Sequence, residues 1–362
     1  MWEIVFILPN LKLDKPFEND FLAIVPHNDS RILEITKEIS FVEKIVNSFI
    51  DQFRQKKYPA FLIKSDNCPV EFDVSEAIIG FRNLFAISCL VKAYEHSLNH
   101  SFVAFPLFSE YFDFYPITVA IDKKDLVIFS PAVLGVDEPE QFIGQTSPGL
   151  PTEYIAQPDE YLANNLVFVW EKAYIKSARR KWKIRALFRS LEMAYHASAM
   201  PSKNNSSIYD YGSNISLWVS ALEILSHPPK GNANLKTVIN LLDKYKWRNG
   251  YLNKKQFLYK KKENRVTLVS KLYAELYKAR CDFLHGNSVE KSRLFPFKKK
   301  NRQPLNHFAP LIYKVALMVV LENFIDKRKV VTTTEIASTF TREWNLKEAI
   351  LKARKIDENS EY

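Results

Sequence analysis

The chain has 362 residues, of which 51 are lysine or arginine and 41 are aspartate or glutamate, so its formal net charge is +10 at neutral pH. This length predicts two domains with sizeable cores, and the basic balance favours a polyanionic partner, either a nucleic acid or an anionic membrane. Cys68, Cys89 and Cys281 form no CxxC pair and no even set, which argues against a disulfide framework and a zinc finger and favours a reducing cytosol.

Several enzyme classes and a membrane location lack support in the sequence. The eight glycines form no Gly-x-x-x-x-Gly-Lys, Gly-x-Gly-x-x-Gly or Gly-x-Ser-x-Gly pattern, so we predict neither a nucleotide cofactor nor a serine-hydrolase elbow. No metal site is predicted. Residues 1–11 lack a basic start and are typical of a strand rather than a signal peptide, and no apolar run reaches transmembrane length. We therefore expect a cytoplasmic protein without a cofactor or a membrane partner.

The first 155 residues mix strand-like and helix-like patterns. Segments rich in β-branched and aromatic residues predict strands at 2–8, 21–25, 58–64, 115–121 and 126–129. Helical periodicity predicts helices at 32–54 and 75–98. Together these elements predict an α+β domain for residues 1–155, which we interpret as a recognition or sensor domain. The segment 135–151, with its prolines and glycines, is the best candidate for a linker.

Beyond this linker nearly every segment has helical periodicity. Helices are predicted at 158–176, 180–199, 214–226, 234–246, 265–285 and 308–327, with one or two terminal helices within 334–355. Residues 202–213, with their Asn, Ser and Gly, are predicted to form an exposed loop. Residues 156–362 are therefore expected to fold as an all-α helical bundle, which makes the chain a multidomain protein.

The helix predicted at 265–285 has an arginine in the middle of its apolar face. At ~100° per residue, four apolar residues lie within ~40° of Arg280: Val269, Tyr273, Leu276 and Leu284. Four charged residues lie on the opposite face: Lys271, Glu275, Lys278 and Asp282. A guanidinium keeps its charge at any ordinary pH and is costly to bury alone. Either a carboxylate lies opposite Arg280, or this face binds an anion such as phosphate.

His285 lies at the end of the same predicted helix. Gly286 and Asn287 are typical of a helix C-cap. This cap frees the last turn, so the histidine can swing towards Arg280 although the two are ~140° apart on an ideal helix. The negative end of the helix dipole favours an imidazolium there. His285 is therefore placed to hold or donate a proton near neutral pH.

Three segments of the second domain resemble a known family. Arg280 and His285, with four residues between them in Leu-Tyr-x-x-Arg-x-x-x-x-His-Gly, resemble the signature of HEPN domains, in particular that of the Apea-like HEPN group. Residues 217–225, with the pattern Leu-Trp-x-x-x-Leu-Glu-x-Leu, resemble the helix that precedes this signature, and residues 185–192 resemble the opening helix of the group. The resemblance covers residues 157–325.

This resemblance implies a metal-independent endoribonuclease that is active as a homodimer. In such domains the arginine–histidine pairs of two protomers form one composite site, so Arg280 and His285 would be the catalytic residues. One group would activate the ribose 2′-hydroxyl, another would protonate the leaving 5′-oxygen, and the arginine would neutralise charge on the phosphorane. The family's usual setting implies bacterial anti-phage defence or toxin action, with a phage-derived trigger or an antitoxin as a further partner.

Two residues keep a non-catalytic interpretation open. Cys281 follows the arginine where many catalytic members carry a small hydrogen-bonding polar residue. Glu223, the one carboxylate in an otherwise apolar helical run, is a candidate ion-pair partner that would tie two helices together through Arg280. Glu223 can also orient Arg280 towards phosphate, and we assign it a supporting role together with Asp282 and Asn287. The alternatives are a non-catalytic RNA- or protein-binding module and an inert dimerisation scaffold.

Basic clusters flank the predicted signature helix on both sides, and RNA is the predicted partner. RNA contacts are predicted for Lys260, Lys261, Lys262, Arg265, Lys298, Lys299 and Lys300. Aromatic residues are interleaved with these charges at Phe257, Tyr259, Phe295 and Phe297. Such a pattern is expected of a surface that clamps the RNA backbone and stacks bases, although two solvated basic loops would look the same.

Overall fold

The structure is a computed structural model of the chain, and it describes residues 1–51, 54–69, 75–100, 115–119, 126–128, 143–146, 157–176, 181–200, 207–259, 264–299, 303–324 and 343–354. The chain divides into two compact units, Met1–Cys89 with Pro106–Pro158 and Leu90–Phe105 with Asp159–Tyr362. The domain boundary predicted at residue 155 lies close to the division between Pro158 and Asp159. The second unit also takes in Leu90–Phe105, which we had predicted within the first domain.

The first unit contains an antiparallel sheet. Its described strands are β1 (Trp2–Leu8), β2 (Phe17–Glu18), β3 (Leu22–Pro26), β4 (Ile50–Asp51), β5 (Ala60–Ser65), β6 (Tyr115–Val119), β7 (Leu126–Ile128) and β8 (Ile143–Thr146). Six of these strands form one sheet in the order β2-β3-β5-β1-β6-β7, and neighbouring strands in it are antiparallel. The other two, β4 and β8, pair in parallel. The predicted strands are confirmed with shifted ends, and residues 120, 121 and 129 of these predictions lie outside the described ones. The predicted linker 135–151 is wrong where it contains β8, and its other residues lie outside the described ones.

The single helix predicted at 32–54 is wrong, because the chain forms two helices there. They are α1 (Ser30–Glu38) and α2 (Ser40–Ser48). Between them, Ile39 has extended backbone with φ −125° and ψ 94°. Ile35 of α1 and Val42 of α2 are buried in the same hydrophobic core beside the sheet. The break at Ile39 lets the apolar faces of both helices reach this core, which outweighs the local helical pattern.

The next helix, α3 (Ser75–Asn99), runs from the first unit into the second. By length and composition it is the one candidate membrane span among the described helices, so the expectation that no segment reaches that length is wrong. However, 83% of its apolar window is buried in the structure. A helix buried to this extent is what the core of a soluble protein also contains, so its length is weak evidence for a membrane span.

The second unit is mostly helical. Beyond the end of α3, its described helices are α4 (Glu160–Tyr174), α5 (Trp182–Ala199), α6 (Ile208–Ser226), α7 (Leu235–Leu242), α8 (Gly250–Asn253), α9 (Leu268–Leu284) and α10 (Leu305–Leu321), and residues 343–351 are also helical. A hairpin of β9 (Phe257–Leu258) and β10 (Arg265–Val266) precedes α9, and the 3-10 turns Lys291–Leu294 and Pro296–Lys298 follow it. α6 packs against α5, α9 and α10. Where the structure describes them, the helices predicted for this region are confirmed with shifted ends; residues 180, 325–327, 334–342 and 355 of these predictions lie outside the described ones.

A buried ion triad connects three helices of the second unit. Lys314 of α10 has no exposed side-chain surface, and its Nζ lies 2.6 Å from Oε1 of Glu95 on α3 and 2.6 Å from Oδ2 of Asp159. Asp159 also caps α4, because its Oδ1 accepts the Leu162 N–H at 3.0 Å. Burial opposes the charge of Lys314, but the two carboxylates outweigh burial and raise the pKa of its ammonium. The triad therefore ties α3, α4 and α10 together.

We expect Lys314→Ala to destabilise the second unit strongly. The substitution leaves Glu95 and Asp159 buried without their counter-charge, which costs about 3–5 kcal/mol of unfolding free energy. Urea denaturation at pH 7 measures the loss. Lys183→Ala is the control, because Lys183 is exposed on α5. A Lys314→Ala protein as stable as this control would show that the triad makes no net contribution.

α6 and α9 approach each other closely at Gly212. α6 begins at Ile208 because Ser207 and Asp210 form a capping box. The loop predicted at 202–213 is therefore wrong from residue 208 onward, and its residues 202–206 lie outside the described ones. A Cβ atom built on Gly212 would lie 2.5 Å from the ring of Phe283 on α9. A glycine at this position therefore allows the contact between the two helices.

Gly212→Ala should lower the stability of the protein although alanine is the better helix former. Relieving the overlap with Phe283 costs about 1–3 kcal/mol, against the about 1 kcal/mol that alanine contributes as a helix former. The matched control is Gly250→Ala, because a Cβ atom at Gly250 meets no atom within 4 Å. Thermal denaturation should give the lower midpoint for Gly212→Ala, and equal midpoints would contradict the close contact.

Candidate functional site

α9 carries the arginine and the histidine of the predicted site, and its C-terminal end is capped. Gly286 has a φ of 66°, in the left-handed region that favours glycine. Its N–H bonds to the Phe283 carbonyl at 3.4 Å, and the Asn287 N–H bonds to the Asp282 carbonyl at 3.0 Å. These two bonds form a Schellman motif. The cap predicted at Gly286 and Asn287 is thus confirmed.

Arg280 lies on the side of α9 that packs against α6, where Glu223 is its partner. The Arg280 Nη1 is 3.2 Å from one carboxylate oxygen of Glu223 and 3.4 Å from the other. Charge-assisted hydrogen bonds are usually about 2.7–2.9 Å long, and a bidentate pair uses two nitrogens, so this pair is a loose one. The two side chains are 23% and 17% exposed. The ion pair considered from the sequence is therefore present, in a weakly bonded form.

The Glu223 carboxylate does not satisfy all donors of the Arg280 guanidinium. Within the described residues the Arg280 Nε is buried without a hydrogen-bond partner. The guanidinium carbon lies 5.9 Å from the ring centre of Tyr277. Sequence reasoning gave Tyr277 no role of its own. Its position three residues before Arg280, which places both on one side of a helix, was the available signal.

Burial dominates the titration of the groups around Arg280. It raises the pKa of the Glu223 carboxyl, and the Arg280 charge opposes this only in part. It also raises the pKa of the Tyr273 hydroxyl well above its usual value, with a further contribution from the Glu223 charge. The geometry of the pair shows what remains of Arg280: Glu223 contacts its Nη1, and the described residues offer its Nε no acceptor.

His285 is the C-cap residue of α9, and its side chain is exposed. In the part of the chain that the structure describes, no hydrogen bond or ion pair holds its ring. No contact between the described residues joins it to Arg280, which faces α6. A single chain thus presents the two predicted catalytic residues without bringing them together.

The segment after α9 docks on the face of this helix that lies opposite the ion pair. The Phe297 N–H donates to the Glu275 Oε2 at 2.8 Å, and the Arg293 Nε lies 2.8 Å from the Asp282 Oδ2. The Asn287 Nδ2 donates to the Asp282 Oδ1 at 3.5 Å. The supporting candidates Asp282 and Asn287 therefore hold the helix end and the following segment, whereas Glu223 is the supporting candidate that contacts the arginine.

The predicted RNA-binding residues are described only in part. Outside the described residues lie Lys260, Lys261, Lys262 and Lys300. Arg265 is exposed in β10, and Lys298 and Lys299 are exposed at the end of the second 3-10 turn. Because that turn docks opposite the ion pair, Lys298 lies across α9 from Arg280.

The chemistry of this site has to be inferred from its own residues. Comparison of the chain with protein-family models, with characterised proteins and with solved structures finds no match. Among the described residues, no group of three or more His, Cys, Asp or Glu side chains is placed to hold a metal ion. The site offers a loosely paired arginine and an exposed histidine near the end of one helix, which suits anion binding and proton transfer.

We expect Arg280→Ala to lower the unfolding free energy by about 1–2 kcal/mol, because the partly buried Glu223 then loses its counter-charge. Circular dichroism should show an intact fold, and urea denaturation at pH 7 measures the loss. Global unfolding of the variant would instead identify Arg280 as a structural tie between α6 and α9.

Glu223→Gln should cost less than about 1 kcal/mol and should relieve part of the Arg280→Ala loss. The pKa of the Glu223 carboxyl is raised by folding, so its stabilising contribution is present below its usual pKa and is lost as the pH rises past the raised value. Removing the charge is therefore mild at pH 7. Denaturation of both single variants and the double variant tests this, and additive losses would contradict it.

Proposed function

We propose that the second unit is a metal-independent endoribonuclease domain of HEPN type, with Arg280 and His285 as its catalytic residues. The observation that carries this proposal is the loose pairing of Arg280, whose Nη1 alone meets Glu223 at 3.2 and 3.4 Å. A purely structural arginine at a partly buried position is expected to form a tight bidentate pair with its other donors satisfied. The unused donors of Arg280 suit a phosphate group, and resemblance to the HEPN signature assigns His285 the proton transfer.

In the proposed reaction the protein supplies proton transfer and charge neutralisation. The imidazole of one His285 accepts the proton of the ribose 2′-hydroxyl, and the 2′-oxygen attacks the adjacent phosphorus. The bond from phosphorus to the 5′-oxygen breaks, and the imidazolium of a second His285 donates its proton to that oxygen. Arg280 neutralises the charge of the phosphorane. The products are a 2′,3′-cyclic phosphate and a 5′-hydroxyl, and DNA is resistant because it lacks the nucleophile.

The proposal includes a homodimer, because one chain does not join its arginine to its histidine. A second copy would supply the second histidine of a composite site. Two exposed apolar side chains support such a contact. Leu284, next to His285, is 61% exposed, and Tyr209, one turn before Gly212 on α6, is 74% exposed. Large apolar and aromatic side chains of this kind are available to a partner copy.

The biological setting that we propose is bacterial anti-phage defence or toxin action in the cytoplasm. The first unit would then act as the recognition or sensor domain, with a phage-derived trigger or an antitoxin as its partner. The support for this setting is the resemblance to the HEPN family, which is an argument by analogy.

A non-catalytic RNA- or protein-binding module is the second candidate, and two observations favour it. The Arg280 Nη1 is already engaged by Glu223. Cys281 stands at the position where many catalytic members of the family that the chain resembles carry a small polar residue. In this alternative the same surface holds RNA or a partner protein without cutting.

The test is incubation of the full-length protein with mixed single-stranded and transfer RNA in EDTA, followed by analysis of the product ends. We expect cleavage that leaves 2′,3′-cyclic phosphates. His285→Ala should lose at least about 100-fold in rate, since general acid–base groups contribute about 10²–10⁴-fold. Arg280→Ala should lose a similar amount, since a donor that stabilises transition-state charge contributes about 10²–10³-fold. The matched control is His196→Ala, which removes an exposed histidine from the last turn of α5 and should leave the rate unchanged.

Two other results would argue against a nuclease at this site. Salt-sensitive RNA binding without any cleavage would favour the binding module, because phosphate contacts weaken steeply with ionic strength. Cleavage that survives Arg280→Ala and His285→Ala would place the chemistry on other residues.

A further inference from the structure

A cleft of about 350 Å³ lies along the face of α9 opposite Arg280. Three parts of the chain form its walls: Tyr259 after β9, the α9 segment from Lys271 to Lys278, and the two 3-10 turns that follow α9. Its volume is in the range of about 300–1,000 Å³ that small-molecule sites occupy. Neither Arg280 nor His285 lines it. The proposed catalytic residues therefore do not account for this cleft.

Among the described residues, Glu275 is the one acidic side chain that lines the cleft, and its neighbours satisfy it. The Glu275 Oε1 lies 3.2 Å from the Lys271 Nζ, and its Oε2 accepts the Phe297 N–H at 2.8 Å. A further cation of the cleft, Arg293, is paired with Asp282 at 2.8 Å. An incoming anion thus meets little repulsion from carboxylates.

Two lysines of the cleft remain available to a ligand. Lys278 on α9 and Lys298 on the second 3-10 turn are both exposed. Within the described residues neither has an ion-pair partner. Two unpaired ammonium groups at one cleft suit a phosphate, which Lys binds as a point charge.

Aromatic rings line the same cleft, and the backbone is held in an unusual conformation to place one of them. Phe297 and Lys298 have φ values of 53° and 57°, in a region that residues other than glycine rarely adopt. The hydrogen bond from the Phe297 N–H to Glu275 holds this conformation, as does the ring of Phe257, 5.8 Å from that of Phe297. As a result an aromatic ring and an ammonium group line the cleft side by side, with Tyr259 as a second ring.

Aromatic rings beside unpaired cations are the two elements that a nucleotide site needs, because bases stack on the rings and phosphates pair with the cations. We propose that this cleft binds a nucleoside phosphate, with its base against Tyr259 and Phe297 and its phosphate held by Lys278 and Lys298. The ligand is either one unit of a single-stranded RNA or a free nucleotide. The site does not rest on the proposed cleavage, since it uses neither Arg280 nor His285.

The test measures binding to the full-length protein by fluorescence anisotropy of a short labelled 2′-O-methyl oligouridylate. This probe lacks the attacking hydroxyl, so it reports binding whether or not the protein cuts RNA. The variants are Tyr259→Leu and the combined Lys278→Gln/Lys298→Gln. Lys183→Gln is the control, because Lys183 is exposed on α5 and does not line the cleft. Unlabelled uridine monophosphate is added in competition.

Tyr259→Leu should bind the probe about tenfold more weakly, through the loss of one stacked base. In the combined lysine variant the plot of log K against log salt concentration should be less steep by about 0.7, the value for one neutralised phosphate of a single strand. Lys183→Gln should bind as the wild type does. Competition by the monophosphate identifies a free nucleotide as a ligand, and its failure identifies a unit of a strand.

Three outcomes would overturn the proposal. The first is a wild-type protein that binds neither the oligonucleotide nor the monophosphate. The second is unchanged binding in both cleft variants. The third is weaker binding in the lysine variant with unchanged binding in Tyr259→Leu, which would show a surface that attracts phosphate without reading a base. Each can occur with RNA cleavage intact, so failure here is distinct from failure of the nuclease proposal.

Discussion

A permanently charged guanidinium on the packing face of α9 is the constraint around which the candidate site is arranged. Because Arg280 cannot lose its charge, the contact between α9 and α6 cannot be purely apolar there. Glu223 meets the charge incompletely, and Tyr277 offers the face of its ring. Replacing a buried ion pair by apolar side chains is often neutral or stabilising, so the pair by itself is weak evidence that the arginine serves the fold.

α9 therefore has two chemically different faces that are about 10–12 Å apart, the diameter of a helix with its side chains. One face presents Arg280, and the other forms the cleft with Lys278 and Lys298. Both faces end at the C-terminus of α9, where His285 is exposed. If both proposals hold, a single RNA strand that occupies both faces passes this histidine.

Sequence patterns predicted the elements whose local preference and burial agree, and failed where a distant contact overrides local preference. Ile39 is extended because two helices share one core. The start of α6 was missed for another reason, since the capping box of Ser207 and Asp210 is a local signal that the Asn, Ser and Gly content of the segment obscured. The pairing of Arg280 was open to prediction, because one carboxylate interrupts an apolar helix. The cleft was not, since the left-handed backbone at Phe297 depends on a contact with a residue 22 positions away.

The Lys314 triad also limits when the second unit can complete its fold during synthesis. Glu95 and Lys314 are 219 residues apart in the sequence. At a synthesis rate of about 5–20 residues per second, Lys314 is synthesised about 10–45 s after Glu95, its ion-pair partner on α3. Until α10 emerges from the ribosome, the triad cannot form and Glu95 and Asp159 lack their counter-charge. A nuclease domain built on these helices would therefore complete its fold only after most of the chain has left the ribosome, whose RNA is the first that it meets.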